Sequence, residues 1–507
     1  MNFNRRLGSN SLNIAFFSGL ENHLTPKERE RVLKIQERWN FYEGYHWEDI
    51  QDVGERPQIT ENYCRAFVDK FNSFEFGSGF HVKCTREDNE DTTPITDFLN
   101  EVWEYNHKDT LCTELGQIKS VTGYGCFQVS YLEAGKFYDP FEEYPDGKII
   151  LTSIPSHSFF PTFDPHDKDR LIKVMIAYPI EVEEKSPILR KVSTKKVLYK
   201  QIWTDKEVYI EDGVKEPITI PNKYGIIPFV IAPNYPLGGR EYVDSQSDLD
   251  DLIPLNTELN SKTSDVSEII DYYSAPITIL YGAKVNSLEK GANKLWGGLP
   301  KEARVQNLEL KGDLVASNNY RADLKTAMHE IGGVPEGALG GKQAISNTSS
   351  VALHIANSPI IERVRVKRSY TTKAVQEVNK LILYIANKFK LFTKPEGMSG
   401  RDFYTTEVIF PDILPKDKLL ELQQIQIELK SGLEYRKKAM ERLGKQDIND
   451  YLDHIDEDAH LHPEFYGVSM QVPHDENGEP ELNSGFTNGQ SPQETMRQEI
   501  TGQNGQQ

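Results

Sequence analysis

Cysteine is scarce in this chain: Cys64, Cys84, Cys112 and Cys126 are the only four among 507 residues. None forms a Cys-x-x-Cys pair, and no histidine stands at zinc spacing from two of them. Neither a disulfide framework nor a structural zinc site is therefore expected, and the four read as reduced, mostly buried thiols. Long apolar runs are missing as well. Nothing approaches the roughly 18 consecutive apolar residues that a membrane span requires. The short stretch Leu12–Phe17 behind Arg5 and Arg6 is broken by Asn13 and is too weak for a secretory leader. The expectation is a soluble protein made inside a cell, without membrane contact. Apolar side chains make up only 38% of the chain, and mean hydropathy is −0.56; globular proteins carry about 45–50% when glycine is counted. A chain this polar either has long exposed arms or completes its apolar surface at subunit contacts.

Positive charge is also in short supply. Lysine and arginine total 58 against 77 acidic residues, a formal net charge of −19. A protein that grips nucleic acid by neutralising phosphates needs basic surface. If DNA is a partner, net attraction is not the mode of contact, and an acidic wall would let a duplex slide. The same charge also serves plain solubility.

The signatures of catalysis are absent too. Gly337-Ala338-Leu339-Gly340-Gly341-Lys342 resembles a phosphate cradle, but the first glycine of that motif is replaced by Glu336 and the closing Ser/Thr by Gln343. A flexible loop is the better reading. His454, Asp456, Asp458, His460 and His462 crowd together and carry metal-ligand chemistry. They also end a helix with mixed charge, as a solvated face does, so no metal is assigned. There is no nucleophile elbow, no His-Glu-x-x-His and no convincing Cys–His pair. Neither enzymatic activity nor a cofactor is expected.

What is present is a sequence of well-marked elements. Thr25-Pro26-Lys27-Glu28 is a capping box with proline at the first helical position. Val32, Ile35, Trp39 and Tyr42 follow at helical spacing and Gly44 ends the helix. Asn62–Phe76 is a second amphipathic helix, with a strand behind it toward Val82; Asp97–Tyr105 and Thr110–Val121 read as two more helices. From Gly125 to Tyr209 the period changes to two, as in Phe127/Val129/Tyr131 and Val174/Ile176/Tyr178, which predicts an antiparallel sheet. Tyr224–Asn234 is an apolar run. Ser247–Tyr273 predicts one long helix with Pro254 near its start, Ala275–Leu310 short strands with glycine turns, and Asp313–Ile331 a second helix. Gly332–Ser350 is a Gly/Ser/Asn/Thr-rich loop, and Ser350–Lys390 a very long helix broken at most once, near Pro359. Leu419–Lys430, Leu433–Leu443 and Ile448–Glu457 are shorter helices. The stretch from Gly467 onward has the composition of a disordered tail. On the long helix Arg363, Arg365, Lys367, Arg368 and Lys373 stand with only Glu362 to balance them. They would contact phosphates or a neighbouring subunit's carboxylates, or form a solvated face whose stems lie on the core.

The order of these segments carries a resemblance. Trp39-Asn40-Phe41-Tyr42-Glu43-Gly44, Asn62-Tyr63, Val68-Asp69-Lys70 and Phe74-Glu75-Phe76-Gly77 resemble the N-terminal pattern of tailed-bacteriophage portal proteins, of the siphovirus type found in phages of Gram-positive bacteria. Gly225-Ile226-Ile227-Pro228-Phe229-Val230 with Asn234, and the stretch Val408–Asp417 with Ser431-Gly432-Leu433, resemble its later parts. The matches span about residues 25–465.

The resemblance implies an α+β portal fold. Its parts would be a flexible arm (1–24), an α+β wing (25–246), a first stem helix (247–273), a strand-rich clip (274–312), a second stem helix (313–331), a tunnel loop (332–350), a long helix returning to the wing (351–411), a helical crown (412–466) and a disordered tail (467–507). It implies a homo-oligomeric ring, typically of twelve subunits, at a capsid vertex of the virion, serving packaging and ejection of double-stranded DNA. The partners implied are DNA contacted without sequence preference, the terminase large subunit, head-completion or adaptor proteins, scaffold and the major capsid protein. Lys342, Gln343, Asn347 and Thr348 would line the channel. Arg363, Arg365, Lys367 and Arg368 would face DNA or a neighbour, and Lys284, Lys290, Lys294 and Trp296 the motor or adaptor. The alternative is another structural virion component, such as a minor head or adaptor protein.

Overall fold

The computed structural model describes residues 20–47, 57–84, 92–137, 140–141, 143–185, 192–274, 278–282, 300–307, 314–340, 350–413, 418–443 and 454–455. Helix α1 (Pro26–Glu43) starts as its capping box dictates. Thr25 Oγ1 accepts from the Glu28 amide at 3.3 Å while the Glu28 carboxylate accepts from the Thr25 amide at 2.8 Å. Helix α2 (Tyr63–Phe76) is capped by Asn62, whose Oδ1 accepts from the Arg65 amide at 3.0 Å. Strand β1 (His81–Cys84) and helices α3 (Thr93–Tyr105) and α4 (Lys108–Thr122) follow.

The strands come next: β2 (Tyr124–Leu132), β3 (Lys148–Ile154), β4 (Phe159–Asp164), β5 (Asp167–Lys185), β6 (Val192–Trp203), β7 (Glu207–Glu211), β8 (Ile218–Pro221) and β9 (Phe229–Pro233). Helix α5 (Leu252–Ser274) leads to a two-stranded ribbon, β10 (Thr278–Tyr281) and β11 (Arg304–Asn307), and then to α6 (Leu314–Gly332). The remaining elements are α7 (Ser350–Ala356), the 32-residue α8 (Ser358–Phe389), α9 (Gly400–Tyr404), β12 (Thr406–Ile409), α10 (Lys418–Lys430) and α11 (Arg436–Arg442). The chain divides into two units, residues 1–415 and 416–507. In the second, Arg442 pairs with Glu434 at 2.7 Å and with Glu428, tying α11 to α10.

The alternating stretch forms two antiparallel sheets. Five strands run in the order β4-β5-β6-β7-β8. A separate three-stranded sheet, β3-β2-β9, takes the apolar run near Phe229 as its third strand. The break falls at Pro155, where the chain turns through Ser156–Ser158 between β3 and β4. Strand β1 finds its partner far along the chain, with His81 opposite Ile409 and Cys84 opposite Thr406 of β12. Helix α5 begins at Leu252 rather than Ser247. Residues 247–250 are held in a turn by Ser247 Oγ, which donates to the Ser120 and Val121 carbonyls at 3.0 and 2.6 Å, and by Asp250, which accepts from the Ser247 amide at 3.0 Å. Pro254 therefore sits in the first turn, where the amide it lacks has no intrahelical partner. The proline expected to break the long helix does so: α7 ends at Ala356 and α8 starts with Pro359 in its first turn.

One apolar core gathers α3, α4, β1–β3 and the C-terminal half of α8. Leu99, Val102 and Trp103 pack there with Phe127, Val378 and Ile382. Burying each such side chain stabilises the fold by about 1.5–3 kcal/mol. The indole of Trp103 donates to Asn379 Oδ1 at 2.8 Å, so its buried N–H is satisfied. A second core joins α2, α5, α6 and the start of α8 through Phe67, Phe71, Leu252, Met328 and Val364. Two smaller cores lie on opposite faces of the five-stranded sheet: Phe159, Val174 and Ile176 on one, Phe160, Met175 and Ala177 on the other. All four cysteines are free and buried in these layers.

The junction between α4 and β2 turns on Gly123, at φ +98°, where a Cβ would meet the Ser245 carbonyl oxygen at 2.2 Å. A side chain here would be strained by its own backbone and would also strike a second strand of main chain. Gly123→Ala is expected to cost about 2–4 kcal/mol. Thermal unfolding would read this as a clear drop in midpoint, and an unchanged midpoint would mean the junction is looser than described.

Candidate functional site

Arg363, Lys367 and Thr371 are spaced by four on α8 and so share one face of the helix. That face meets the ends of three other elements. Arg363 Nη1 donates to the carbonyls of Ile331 and Gly332, the last residues of α6, at 3.2 and 2.9 Å. Its guanidinium lies over the rings of Phe71 and Tyr235. Arg368 donates to the Phe74 and Glu75 carbonyls at the end of α2, at 2.9 and 3.2 Å, and to the Pro411 carbonyl at 2.6 Å. The last carbonyls of a helix have no partner inside it and carry the negative end of its dipole. The basic run on α8 thus supplies C-terminal caps to two helices.

Between these caps lies a sealed charge cluster. Lys367 is fully buried, and its Nζ donates to Asp248 Oδ2 at 2.6 Å and to Ser120 Oγ at 2.8 Å. Lys119 of α4 is equally buried and pairs with Glu75 of α2; its Nζ also donates to Thr371 Oγ1 at 2.6 Å. Thr371 in turn donates to Glu75 at 2.7 Å. Lys367 Nζ stands 4.0 Å from the second Glu75 oxygen, so two cations and two anions form one neutral group. Burial pushes the Asp248 carboxyl up, but the charges of Lys367 and Arg363 outweigh it and hold the group below the usual aspartate range. Burial pulls the Lys119 ammonium below its ordinary value, with Glu75 opposing.

A second charged hub joins α5 to α6. Glu61 receives Arg321 at 2.8 Å and Lys325 at 2.7 Å, both from α6, and Thr263 Oγ1 of α5 at 2.9 Å. Burial raises the Glu61 carboxyl, yet Lys325, Thr263 and Arg321 together bring it below its ordinary value. Contacts of Thr263 with Arg321 and of Leu252 with Gly332 fix the two helices as antiparallel.

Lys367 and Arg368, expected to reach phosphates or a neighbour, are instead directed into the fold. The reason is that Asp248 and the end of α2 offer them internal partners. Arg363 is half-buried and capping. Arg365 alone of the four is exposed, with no ion-pair partner among the described residues. Lys342, Gln343, Asn347 and Thr348 lie outside the described residues, as do Lys284, Lys290, Lys294 and Trp296 and all of the His/Asp cluster except His454. The glycine-rich stretch opens as a short turn, Glu336–Leu339, that follows helix α6 and not a strand. Among the described residues no three His, Cys, Asp or Glu side chains gather as a metal site would need. The sequence reading missed Glu75, Lys119 and Asp248. A signal existed for two of them: Glu75 continues the Val68/Phe71 stripe and Lys119 the Cys112/Leu115 stripe, so each puts a charge on a buried face.

Compared with known proteins, residues 21–460 match the family model described as phage portal protein, SPP1 Gp6-like. No curated protein matches the chain.

Replacing Lys367 by Met leaves Asp248 charged and buried without its partner, a loss of about 3–5 kcal/mol. The double variant Lys367→Met/Asp248→Leu should recover much of it, which denaturant unfolding would measure. Asp248 also sets an acid limb. Its folded-state value lies below the unfolded one, so its contribution is complete above about pH 4 and is lost as pH falls through the folded value. Asp248→Asn should lose less stability on acidification than the wild type; equal acid slopes would mean that folding leaves the proton affinity of the carboxyl unchanged.

Proposed function

The chain belongs to the SPP1 Gp6-like phage portal family, and from that premise we propose that copies of it close into a ring, typically of twelve, that conducts double-stranded DNA through one vertex of the capsid. The family match carries this reading: it runs from before α1 into the second unit, over residues 21–460. A phage portal is a structural component of the virion, so the energy for DNA movement comes from a separate motor. The docking partners proposed are the terminase large subunit, head-completion or adaptor proteins, scaffold and the major capsid protein.

The antiparallel pair α5 and α6, joined through the β10–β11 ribbon, has the order helix–ribbon–helix that a stem and clip require. On this assignment the α+β layers before residue 247 form the wing, residues 332–350 the tunnel loop, and the helices after residue 412 the crown. Lys342, with Gln343, Asn347 and Thr348, would meet the DNA backbone. Lys284, Lys290, Lys294 and Trp296 would face the motor or adaptor. Arg365, exposed on α8 and without an ion-pair partner among the described residues, would pair with a neighbouring subunit's carboxylate. A closed ring repeats one heterologous interface about its axis, and the chain's −19 charge is then multiplied by the ring number. DNA carries one negative charge per about 1.7 Å of helix axis, so an acidic lumen repels it evenly and a few loop cations suffice to centre it. No base-reading element is needed, because contacts to the backbone carry no sequence information.

Negative-stain electron microscopy with native mass spectrometry on the full chain tests this. The expected particle is a ring with a central hole and a mass about twelve times the 57.9 kDa of one chain, a neighbouring ring number serving equally well. A compact oligomer without a tunnel would overturn the portal reading in favour of another structural role in the virion.

A further inference from the structure

The stretch from residue 57 to 62 runs along α5 without forming a strand or helix of its own. Its amides are held by a polar ladder on the helix, Asn256, Asn260 and Ser264, again spaced by four. Ser264 Oγ accepts from the Ile59 amide at 3.1 Å, Asn260 Oδ1 from the Glu61 amide at 2.9 Å, and Asn256 Oδ1 from the Tyr63 amide at 3.1 Å. Asn256 also donates to the Glu61 carbonyl at 2.8 Å.

The middle rung has a second partner. His46 is buried, stacked on Phe41 with ring centroids 4.6 Å apart, and its Nε2 lies 2.8 Å from the Phe41 carbonyl. A carbonyl only accepts, so Nε2 carries the hydrogen and Nδ1 presents its lone pair. That lone pair accepts from Asn260 Nδ2 at 2.6 Å. Both ends of the Asn260 amide are therefore committed: its oxygen to Glu61 and its nitrogen to His46.

This arrangement admits only the neutral imidazole. A proton added at Nδ1 would face the Asn260 amide nitrogen, donor against donor. Turning the amide over gives His46 an acceptor but points two hydrogens at the Glu61 amide, so the conflict moves and one hydrogen bond is lost either way. Among the described residues no carboxylate relieves the charge. Glu61 is turned to Arg321 and Lys325 of α6, and on α5 Lys262 is paired with Glu258 and Asp265. From the end of α1 the imidazole meets the Phe41 ring and carbonyl. Burial accordingly holds His46 below its ordinary value, with the Phe41 carbonyl opposing.

We propose that His46 and Asn260 form an acid-sensitive latch: protonation of the imidazole breaks the middle rung of the ladder and frees residues 57–62 from α5. Those residues carry Glu61, so the latch also governs the tie between α5 and α6. Its direction follows from the chemistry, closed when His46 is neutral and open when it is charged.

Hydrogen–deuterium exchange on the full-length protein, followed by mass spectrometry of the peptide covering residues 57–64 and corrected for intrinsic rates, tests the latch. Between about pH 7.5 and about pH 5, protection in the wild type should fall about fivefold, the worth of one net hydrogen bond, while peptides from α8 hold theirs. His46→Gln can make both contacts and does not titrate, so its profile should be flat. Asn260→Asp offers a carboxylate to both the Glu61 amide and a protonated imidazole, and its profile should reverse, protection rising on acidification. A flat wild-type profile, or the wild-type fall persisting in His46→Gln, would overturn the proposal.

Discussion

Two lysines and two carboxylates, closed off from water at one point, decide where four segments of this fold meet. Apolar burial supplies most of the stabilisation but has no direction; Phe67 or Ile382 would pack nearly as well against many partners. A buried charge is different, because stranding it without its counter-ion costs several kcal/mol. Lys119 must find Glu75, and Lys367 must find Asp248, or the fold loses more than its apolar contacts can replace. Thr371 shares hydrogen bonds with both Lys119 and Glu75, which joins α2, α4 and α8. Asp248 adds the turn that starts α5. The cluster works as a register mark, holding each helix in one position along its neighbours.

The caps on α8 extend that constraint to the loop between α6 and α7. Arg363 binds the last carbonyls of α6, directly where the chain leaves for the loop, and the loop returns into α7 and α8. On the α6 side the chain is thus referred to α8, which the charge cluster fixes to the α+β layers; on the other side the break at Asn357 sets α7 apart from α8. A displacement of the end of α6 is passed to α8 and shared between the end of α2 and the lead-in to α5.

The elements with local signals were legible in the sequence. The capping box at Thr25, the stop at Gly44, the period-two strands and the long helices with their proline break all depend on neighbours a few residues away. What was not legible depends on distant partners. Nothing near His81 announces that it pairs with Ile409, because a four-residue strand holds too few apolar positions to specify a mate. The single sheet read between Gly125 and Tyr209 is two, since the turn at Pro155 reads locally like any other between strands. Lysine and arginine on a helix are read as exposed, and only Asp248 and the free carbonyls of α2 turn Lys367 and Arg368 inward. The start of α5 lies later than the pattern suggests for the same reason: Ser247 and Asp250 look like helix residues until the end of α4 claims the first and Arg38 of α1 the second.

The two kinds of joint in this molecule have different consequences for motion. Where α8 meets the layers around Trp103, separation would expose a continuous apolar core, and the cost grows with every side chain released. Where residues 57–62 lie on α5, the contact is mostly a row of single hydrogen bonds between polar side chains and main chain. Each is worth little net, because water replaces it once the seam opens. Such a seam is specific in register, since Asn256, Asn260 and Ser264 fit only amides spaced as these are, yet it is inexpensive to part. The fold therefore combines a body held by apolar packing and buried ions with a strap held by exchangeable bonds, and the strap carries Glu61, which ties α5 to α6. Parting it would loosen the helix pair near its middle, at Thr263, Arg321 and Lys325, while the Arg363 cap still held the end of α6.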